Sequence, residues 1–147
     1  MYGGTRASAI QCWPSADELR AKSEETLSTL RIKKVEWNHR RCIFTIRFTL
    51  TDGTQKQIGT EKALTDSFSF PDDRPIKTIE IRAGKQWVYA LNFLDAQNNP
   101  ILEIDGHQYG QWFTEEVEDG EQFIGIQETH NHSQLCAIGF QTMKQKY

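Results

Sequence analysis

The chain has 147 residues, 37% hydrophobic and 25% charged, which is long and apolar enough for one globular domain with its own core. Its formal charge of −3 argues against a general attraction to nucleic acid or anionic lipid, because phosphate binding needs a concentrated basic surface. No apolar run approaches the ~20 residues of a membrane helix. The three cysteines, Cys12, Cys42 and Cys136, form neither a paired framework nor a C-x-x-C zinc motif.

Residues 1–30 are predicted to form an extension that carries one helix. Ser15, followed three residues later by Glu18, is typical of a helix start, because each side chain can cap the backbone amide of the other residue. The predicted helix spans about residues 15–30, with a thin apolar stripe that favours docking onto the domain or onto a partner. The stripe consists of Leu19, Leu27 and Leu30.

From Arg31 onward the sequence alternates between apolar and polar residues, as strands do. Residues 32–37 and 43–50 are predicted as two strands, and residues 55–58 as a return strand. The turn before the return strand contains Gly53, which is free to adopt a positive φ.

This strand unit recurs twice, at spacings of 44 to 47 residues. The corresponding strands are residues 76–81 and 88–93 in the second copy, and 123–126 and 135–140 in the third. One copy cannot bury its apolar face alone, whereas three copies around an axis can. The sequence therefore predicts an all-β domain over residues 31–147, built as a prism of three sheets with pseudo-threefold repeats.

The order of elements resembles that of the jacalin-related lectins. Residues 119–126 followed by residues 135–140 are similar to the closing pattern of that family, G-x-x-I-V-G-F … L-D-A-I-G. The hairpin that ends in Asp52 and Gly53 looks like its opening hairpin. The resemblance covers about residues 31–144, and it implies a β-prism of three four-stranded Greek-key sheets with a sugar site in the loop before the last strand.

The sugar site implied by this resemblance departs from the pattern of the family. The family uses a G-x-x-x-D loop, whose Gly and Asp fall on His132 and Cys136 here. A carboxylate accepts hydrogen bonds from two sugar hydroxyls in a fixed fork, which a thiol cannot do. The resemblance therefore implies a degenerate sugar site. The candidate ligand-binding residues of this rim loop are His130, Asn131, His132, Ser133 and Cys136.

Other patterns of reactive residues have a simpler interpretation. His130 and His132 could ligate a metal if His107 or Glu128 approached them, but a polar hairpin loop at the prism rim is the favoured interpretation, and no metal is predicted. The acidic run 115–121 has the spacing of neither a calcium loop nor a catalytic carboxylate pair. No nucleophile elbow or phosphate loop is present, so neither an enzyme nor a cofactor is predicted.

Aromatic and basic residues remain as candidate contact residues. Trp and Tyr stack on sugar rings and anchor protein interfaces, although an ordinary core is the alternative interpretation. The candidate interface residues are Leu19, Leu27, Leu30, Trp87, Tyr89, Tyr109 and Trp112. The one basic cluster, which Glu36 interrupts, is interpreted as a solvated strand face and turn. It consists of Lys33, Lys34, Arg40 and Arg41.

Two functions remain open. The first is a protein-interaction or assembly module with a degenerate sugar site, whose partner is another protein or a second copy; the lost Asp and the added helix favour it. The second is a carbohydrate-binding lectin that uses altered rim loops. No nucleic acid partner and no membrane insertion are expected. The N-terminus lacks the apolar stretch of a signal peptide, which favours a cytoplasmic location.

Overall fold

A computed structural model describes residues 2–3, 11–59, 63–85, 87–105, 109–131 and 134–145. Within these ranges, residues 2, 3, 129–131, 134 and 136 are described by their backbone alone. The first strands are β1 (Tyr2–Gly3), β2 (Gln11–Trp13), β3 (Ile32–His39), β4 (Ile43–Leu50), β5 (Gln55–Ile58) and β6 (Asp66–Ser69). The others are β7 (Thr78–Ala83), β8 (Val88–Leu94), β9 (Pro100–Asp105), β10 (Gln111–Glu116), β11 (Glu121–Asn131) and β12 (Gln134–Lys144). The helices are α1 (Ala16–Arg20) and α2 (Glu24–Thr29).

The strands form three antiparallel sheets of four strands each. Their orders are β5-β4-β3-β6 in the first sheet, β10-β7-β8-β9 in the second and β1-β12-β11-β2 in the third. Every sheet has a central hairpin flanked by two edge strands, so β2 takes the place of β6 and β10, and β1 that of β5 and β9. The predicted prism of three repeated sheets is confirmed.

The third sheet depends on the N-terminal segment. Tyr2 and Gly3 in β1 pair with β12, and the three residues of β2 pair with β11. The segment predicted as an extension outside the prism therefore supplies two of the four strands in this sheet. β1 and β2 therefore occupy the two edges of the third sheet, next to β12 and β11.

Three phenylalanines meet where the sheets face one another. Phe48 and Phe93 each pack edge-on against Phe140, with ring centroids 5.9 and 6.2 Å apart. They occupy matching positions of the three copies, in β4, β8 and β12. Burying a side chain of this size contributes about 1.5–3 kcal/mol, so each copy helps to stabilise the other two.

The central hairpins bend close to their tips. The strand register shifts between Asn38 and His39 in the first sheet and between Arg82 and Ala83 in the second. A matching shift lies at Thr129 in the third. A β-bulge increases the local twist and turns the strand ends, so all three tips are bent at equivalent points.

Polar turns join β4 to β5 and β8 to β9, at the end of the prism opposite the hairpin tips. Gly53 adopts a φ of 89°, as predicted, and Asp52 Oδ1 accepts hydrogen bonds from the N–H and the hydroxyl of Thr54. In the second copy Asn98 adopts a φ of 65° beside Asp95, whose Oδ1 accepts two backbone N–H groups. Each turn has one residue with a left-handed backbone conformation. In each, an aspartate side chain accepts a hydrogen bond from at least one backbone N–H group that has no backbone partner in the turn.

The helix predicted over residues 15–30 is in fact two short helices. Ser15 and Glu18 form the predicted capping box at the start of α1. Ser23 then accepts a hydrogen bond from Thr26 N at 3.1 Å and begins α2. A serine inside a helix competes with the backbone for such bonds and favours a cap, which explains the interruption. Neither helix has the length or apolar character needed to cross a membrane.

Both helices dock at the end of the prism that carries the Gly53 turn. Lys22, between α1 and α2, forms an ion pair with Asp52. Gln145 Nε2, just beyond β12, donates a hydrogen bond to Leu30 O at 2.7 Å. The helices therefore cap one end of the prism and leave the hairpin tips at the other end uncovered by them.

Candidate functional site

The tips of the three central hairpins lie at the same end of the prism. The β3–β4 connection is residues 40–42, the β7–β8 connection is residues 84–87 and the β11–β12 connection follows Asn131. The matching phenylalanines Phe48 and Phe93 both contact Phe140, so the three copies lie at the same height along the prism axis. The strands before these tips therefore end at a common level.

Aromatic side chains join the first two tips. The rings of Phe44 and Trp87 meet edge to face, with centroids 6.4 Å apart. The rings of Tyr89 and Tyr109 lie 6.1 Å apart at an angle of 59°. Phe44 and Tyr89 are both the second residue of their strand, so the repeat itself brings an aromatic ring to the same height in two sheets.

Two glycines allow the chain to pack closely beneath these rings. A Cβ on Gly84 would stand 3.0 Å from Cε2 of Tyr89, so the ring lies against the bare backbone of the tip. Gly110 has a φ of 88°, and a Cβ there would stand 2.6 Å from the carbonyl carbon of Ala83. The start of β10 is thus pressed onto the β7–β8 tip, and Tyr109 projects beside it with 63% of its surface exposed.

The phenol of Tyr89 stays protonated at neutral pH. Burial raises the pKa of Tyr89, and the neighbouring Cys42 thiol and Tyr109 phenol raise that pKa further. A protonated phenol can both donate and accept a hydrogen bond, which suits a ligand with hydroxyl groups.

Three cations are exposed on the same two tips. Arg40 and Arg41 lie in the first tip and Lys85 in the second. We call the whole surface the aromatic rim; it consists of Arg40, Arg41, Phe44, Lys85, Trp87, Tyr89 and Tyr109. Rings for stacking, a phenol for hydrogen bonds and cations for electrostatic attraction are the groups that bind polar ligands with apolar faces.

Part of the rim-loop set lies at the third tip. β11 ends at Asn131 and β12 begins at Gln134, so the backbone of His130 and Asn131 lies at the end of β11 and that of Cys136 near the start of β12. His132 and Ser133 lie outside the described residues, as do the side chains of His130, Asn131 and Cys136. β1 runs towards this tip, since Tyr2 pairs with Ile138 and Gly3 with Ala137.

The candidate interface residues are divided between three places. Trp87, Tyr89 and Tyr109 come together in the aromatic rim. Trp112 lies on the outer face of the second sheet, 46% exposed, with the Arg82 guanidinium 4.9 Å above its ring. The three leucines lie at the helical end: Leu19 and Leu27 pack partly buried against the core, and Leu30 is fully buried within it.

Sequence reasoning did not identify Phe44 or the three cations as part of a site. Alternation places Phe44 on the same face of its strand as Ile46, Phe48 and Leu50, which is the core face, but this face is only half-buried at the height of the tips. Arg40 and Arg41 were interpreted as a solvated turn. Phe44 and Tyr89 occupy the same position of the repeat, just after the tip, and both are aromatic. This shared aromatic position is the signal in the sequence that could have identified the surface.

The described residues contain no arrangement of three or more metal-ligating side chains. Glu128, one of the metal ligands considered, is 1% exposed on the inner face of β11. A groove of about 390 Å³ lies between α2 and the end of β12. It is far from the tips and is lined by the helix residues Glu24, Glu25, Leu27 and Ser28 and by Met143, Lys144 and Gln145.

Comparisons with known proteins establish the fold. No model of a protein family matches the sequence, and no curated protein sequence matches it significantly. A lamprey immune protein of known structure matches with a TM-score of 0.70 and 15% identity, over 98% of this chain and 43% of that protein. The prostate-specific WGA16 glycoprotein lectin matches with a TM-score of 0.69 and 12% identity, over 99% and 97%. Malaysian banana lectin matches with a TM-score of 0.65 and 20% identity, over 97% and 94%.

The chain thus spans less than half of the lamprey protein and nearly all of the two lectins. It has the β-prism fold of the jacalin-related lectins, as the sequence predicted.

Proposed function

We propose that this β-prism is a non-catalytic binding module that recognises carbohydrate through the aromatic rim. The observation that carries the proposal is the contact of Phe44 with Trp87, which joins the first two hairpin tips beside the Tyr89–Tyr109 pair of the second sheet. The apolar faces of sugar rings pack on such aromatic surfaces, while the phenols are placed to bond with hydroxyl groups. Proteins with the same fold are named as lectins, which supports this reading.

The third tip supports carbohydrate binding less well. Its Cys136 stands where the lectin pattern has a carboxylate, and a thiol cannot hold two hydroxyl groups in a fixed fork. The degenerate site implied by the sequence and the aromatic rim therefore belong to different tips. A ligand bound at the aromatic rim would use the first and second copies of the repeat in place of the third.

The test uses two exposed aromatic residues that differ in position. Tyr109→Ala removes a ring from the aromatic rim, and Trp112→Ala removes a comparably exposed ring from the outer face of the second sheet. On a glycan array, followed by calorimetry with the best ligand, Tyr109→Ala should weaken binding about tenfold or more, as loss of an aromatic anchor does. Trp112→Ala should bind like the wild type.

The opposite pattern would contradict the proposal. Binding that is lost in an Asn131→Ala/Ser133→Ala variant and kept in Tyr109→Ala would assign the ligand to the third tip. Absence of binding to any glycan by the folded wild type would refute the carbohydrate-binding role itself.

A second candidate function is a protein-interaction or assembly module, favoured by Trp112. The Arg82 guanidinium over the Trp112 ring presents a Trp–Arg pair on an exposed strand face, and both residue types are enriched at the energetic centres of interfaces. Light scattering over a range of concentrations should show association that Trp112→Ala abolishes. Removal of residues 1–30 is a poorer test, because it would also remove β1 and β2 from the third sheet.

A further inference from the structure

We infer that the aromatic rim takes an anionic saccharide, one that carries carboxylate or sulfate groups. This inference rests on the carbohydrate-binding role proposed above and specifies the class of ligand. It follows from three cations that surround the aromatic surface and have no partner of their own.

Arg40 and Arg41 differ from every other arginine in the described part of the chain. Those others each form an ion pair or, in Arg82, stack over a ring. The side chains of Arg40 and Arg41 have neither contact and make no hydrogen bond. Lys85, on the next tip, is likewise exposed and unpaired. These cations are available to a ligand without breaking an existing bond.

The basic cluster in the sequence is therefore divided in the structure. Lys34 lies 3.9 Å from Glu36, which also accepts a two-pronged hydrogen bond from Arg47, so this part of the cluster is neutralised on the sheet face. Arg40 and Arg41 lie beyond it, at the tip. Both parts fit the interpretation as a solvated strand face and turn, and the two arginines of the turn form no ion pair.

The three cations belong to one surface because the two tips are in contact. Phe44 follows Arg40 and Arg41 closely in sequence, and its ring meets that of Trp87, two residues after Lys85. Two carboxylates, Asp66 and Asp105, are exposed at the ends of the edge strands β6 and β9. Neither forms an ion pair with the cations.

The combination of groups favours a charged sugar over a neutral sugar or an acidic peptide. A neutral saccharide would stack on the aromatic rings but form no ion pair with the cations. An acidic peptide would form ion pairs with the cations but would not stack on the rings. A guanidinium matches the planar, two-oxygen edge of a carboxylate or sulfate, while the ring of the same saccharide can stack on Tyr109. The chain as a whole has a charge of −3, so the attraction would be local to these tips.

The experiment compares three hexasaccharides by calorimetry on the full chain. Chitohexaose is neutral, hyaluronan hexasaccharide carries carboxylates, and a heparin-derived hexasaccharide carries carboxylates and sulfates. Both anionic probes should bind more tightly than chitohexaose, and their affinity should fall as salt is raised from about 0.05 to 0.5 M, because exposed charges are screened. Tighter binding of the heparin probe alone would assign the site to sulfate.

Variants identify the residues responsible. Each exposed ion pair is worth a factor of roughly 1.4 to 5, so the loss of three in Arg40→Gln/Arg41→Gln/Lys85→Gln should weaken the anionic probes about 3- to 125-fold and leave chitohexaose unchanged. Lys33→Gln removes an exposed cation from β3, away from the tips, and should have no effect. Thermal unfolding of the triple variant should match that of the wild type, because the three side chains form no hydrogen bond or ion pair.

The outcomes separate this inference from the proposed function. Equal binding of all three probes, with no effect of the triple variant, would overturn the anionic class and leave carbohydrate binding intact. No binding of any probe would overturn both. Binding of polyglutamate as tight as that of the heparin probe, unaffected by Tyr109→Ala, would replace the saccharide with an acidic polypeptide and overturn the inference.

Discussion

Gly125 is a position at which the fold leaves no room for a side chain. It lies in β11 where the register with β12 shifts, and the chain after β2 crosses it. A Cβ on Gly125 would stand 2.5 Å from Pro14 Cδ and 2.9 Å from the carbonyl carbon of Trp13. Nonbonded carbon atoms ordinarily lie about 3.5–4.0 Å apart, so an alanine would force β2 to move by roughly 1 Å.

Gly125→Ala is expected to lower the free energy of unfolding by about 1–3 kcal/mol, the range for an overpacked site. β2 is an edge strand that pairs with β11 through three residues, and it carries Trp13, which is 6% exposed. If the movement took Trp13 out of the core, the decrease in unfolding free energy would approach that caused by truncating a core tryptophan, which is about 3–5 kcal/mol. For a chain of 147 residues, about 1–3 kcal/mol lowers the Tm by roughly 2–12 °C.

Urea unfolding followed by circular dichroism measures the effect. Gly53→Asn is the matched control, because the glycine has a φ of 89° with no atom within 4 Å of an added Cβ, and asparagine tolerates this backbone. It should change the unfolding free energy by less than about 0.5 kcal/mol.

A Trp13→Ala/Gly125→Ala variant should lose less than the sum of the single changes, since both act on the docking of β2. Equal unfolding of Gly125→Ala and wild type would mean that β2 does not lie against Gly125. The assignment of β2 to the third sheet would then be wrong.

Three further predictions concern the core and two carboxylates. Phe140→Ala should lower the urea-unfolding free energy by about 3–5 kcal/mol, because the ring packs against three other phenylalanines; a loss below about 1 kcal/mol would contradict this packing. Burial raises the pKa of Glu115, so its stabilising effect is present below its unfolded-state pKa and lost as the pH rises through the folded-state pKa. Glu115→Gln should remove this loss from urea midpoints measured between about pH 4 and 7. Hydrogen bonds from the Asn99 amide and Arg74 lower the pKa of Asp95, so its stabilisation is present above an unfolded-state pKa of about 3.9 and lost as the pH falls further. Asp95→Asn should therefore show a smaller drop in Tm below about pH 4, and an unchanged drop would contradict the bonding described.

The central hairpins could be predicted from the sequence because their signals are local. Residues 43–50 and 55–58 coincide with β4 and β5, since alternation defines the strands and Gly53 defines the turn between them. β1 and β2 have two and three residues and no alternation of their own. Their strand character comes from pairing with β12 and β11, which are more than 100 residues away in sequence.

The candidate site could be predicted only in part, for a different reason. Trp87, Tyr89 and Tyr109 could be predicted as contact residues because Trp and Tyr side chains stack on sugar rings and anchor interfaces. Alternation shows which face of a strand a residue occupies, but not how high along the prism it lies, so Phe44 was assigned to the interior. The meeting of two tips depends on how separate copies pack, and no single copy contains that information.

The three copies have the same residue where it fills the shared core and different residues at the tips. Phe48, Phe93 and Phe140 are identical because each fills a third of the same interior, and a smaller ring in one copy would leave a cavity for all three. Four residues earlier, at the tips, the matching residues are Phe44, Tyr89 and Cys136. No shared interior has to be filled there, so packing does not require the copies to match. A β-prism can therefore acquire a new ligand by changing a tip while its core stays constant, and this is the physical basis for locating recognition in the aromatic rim.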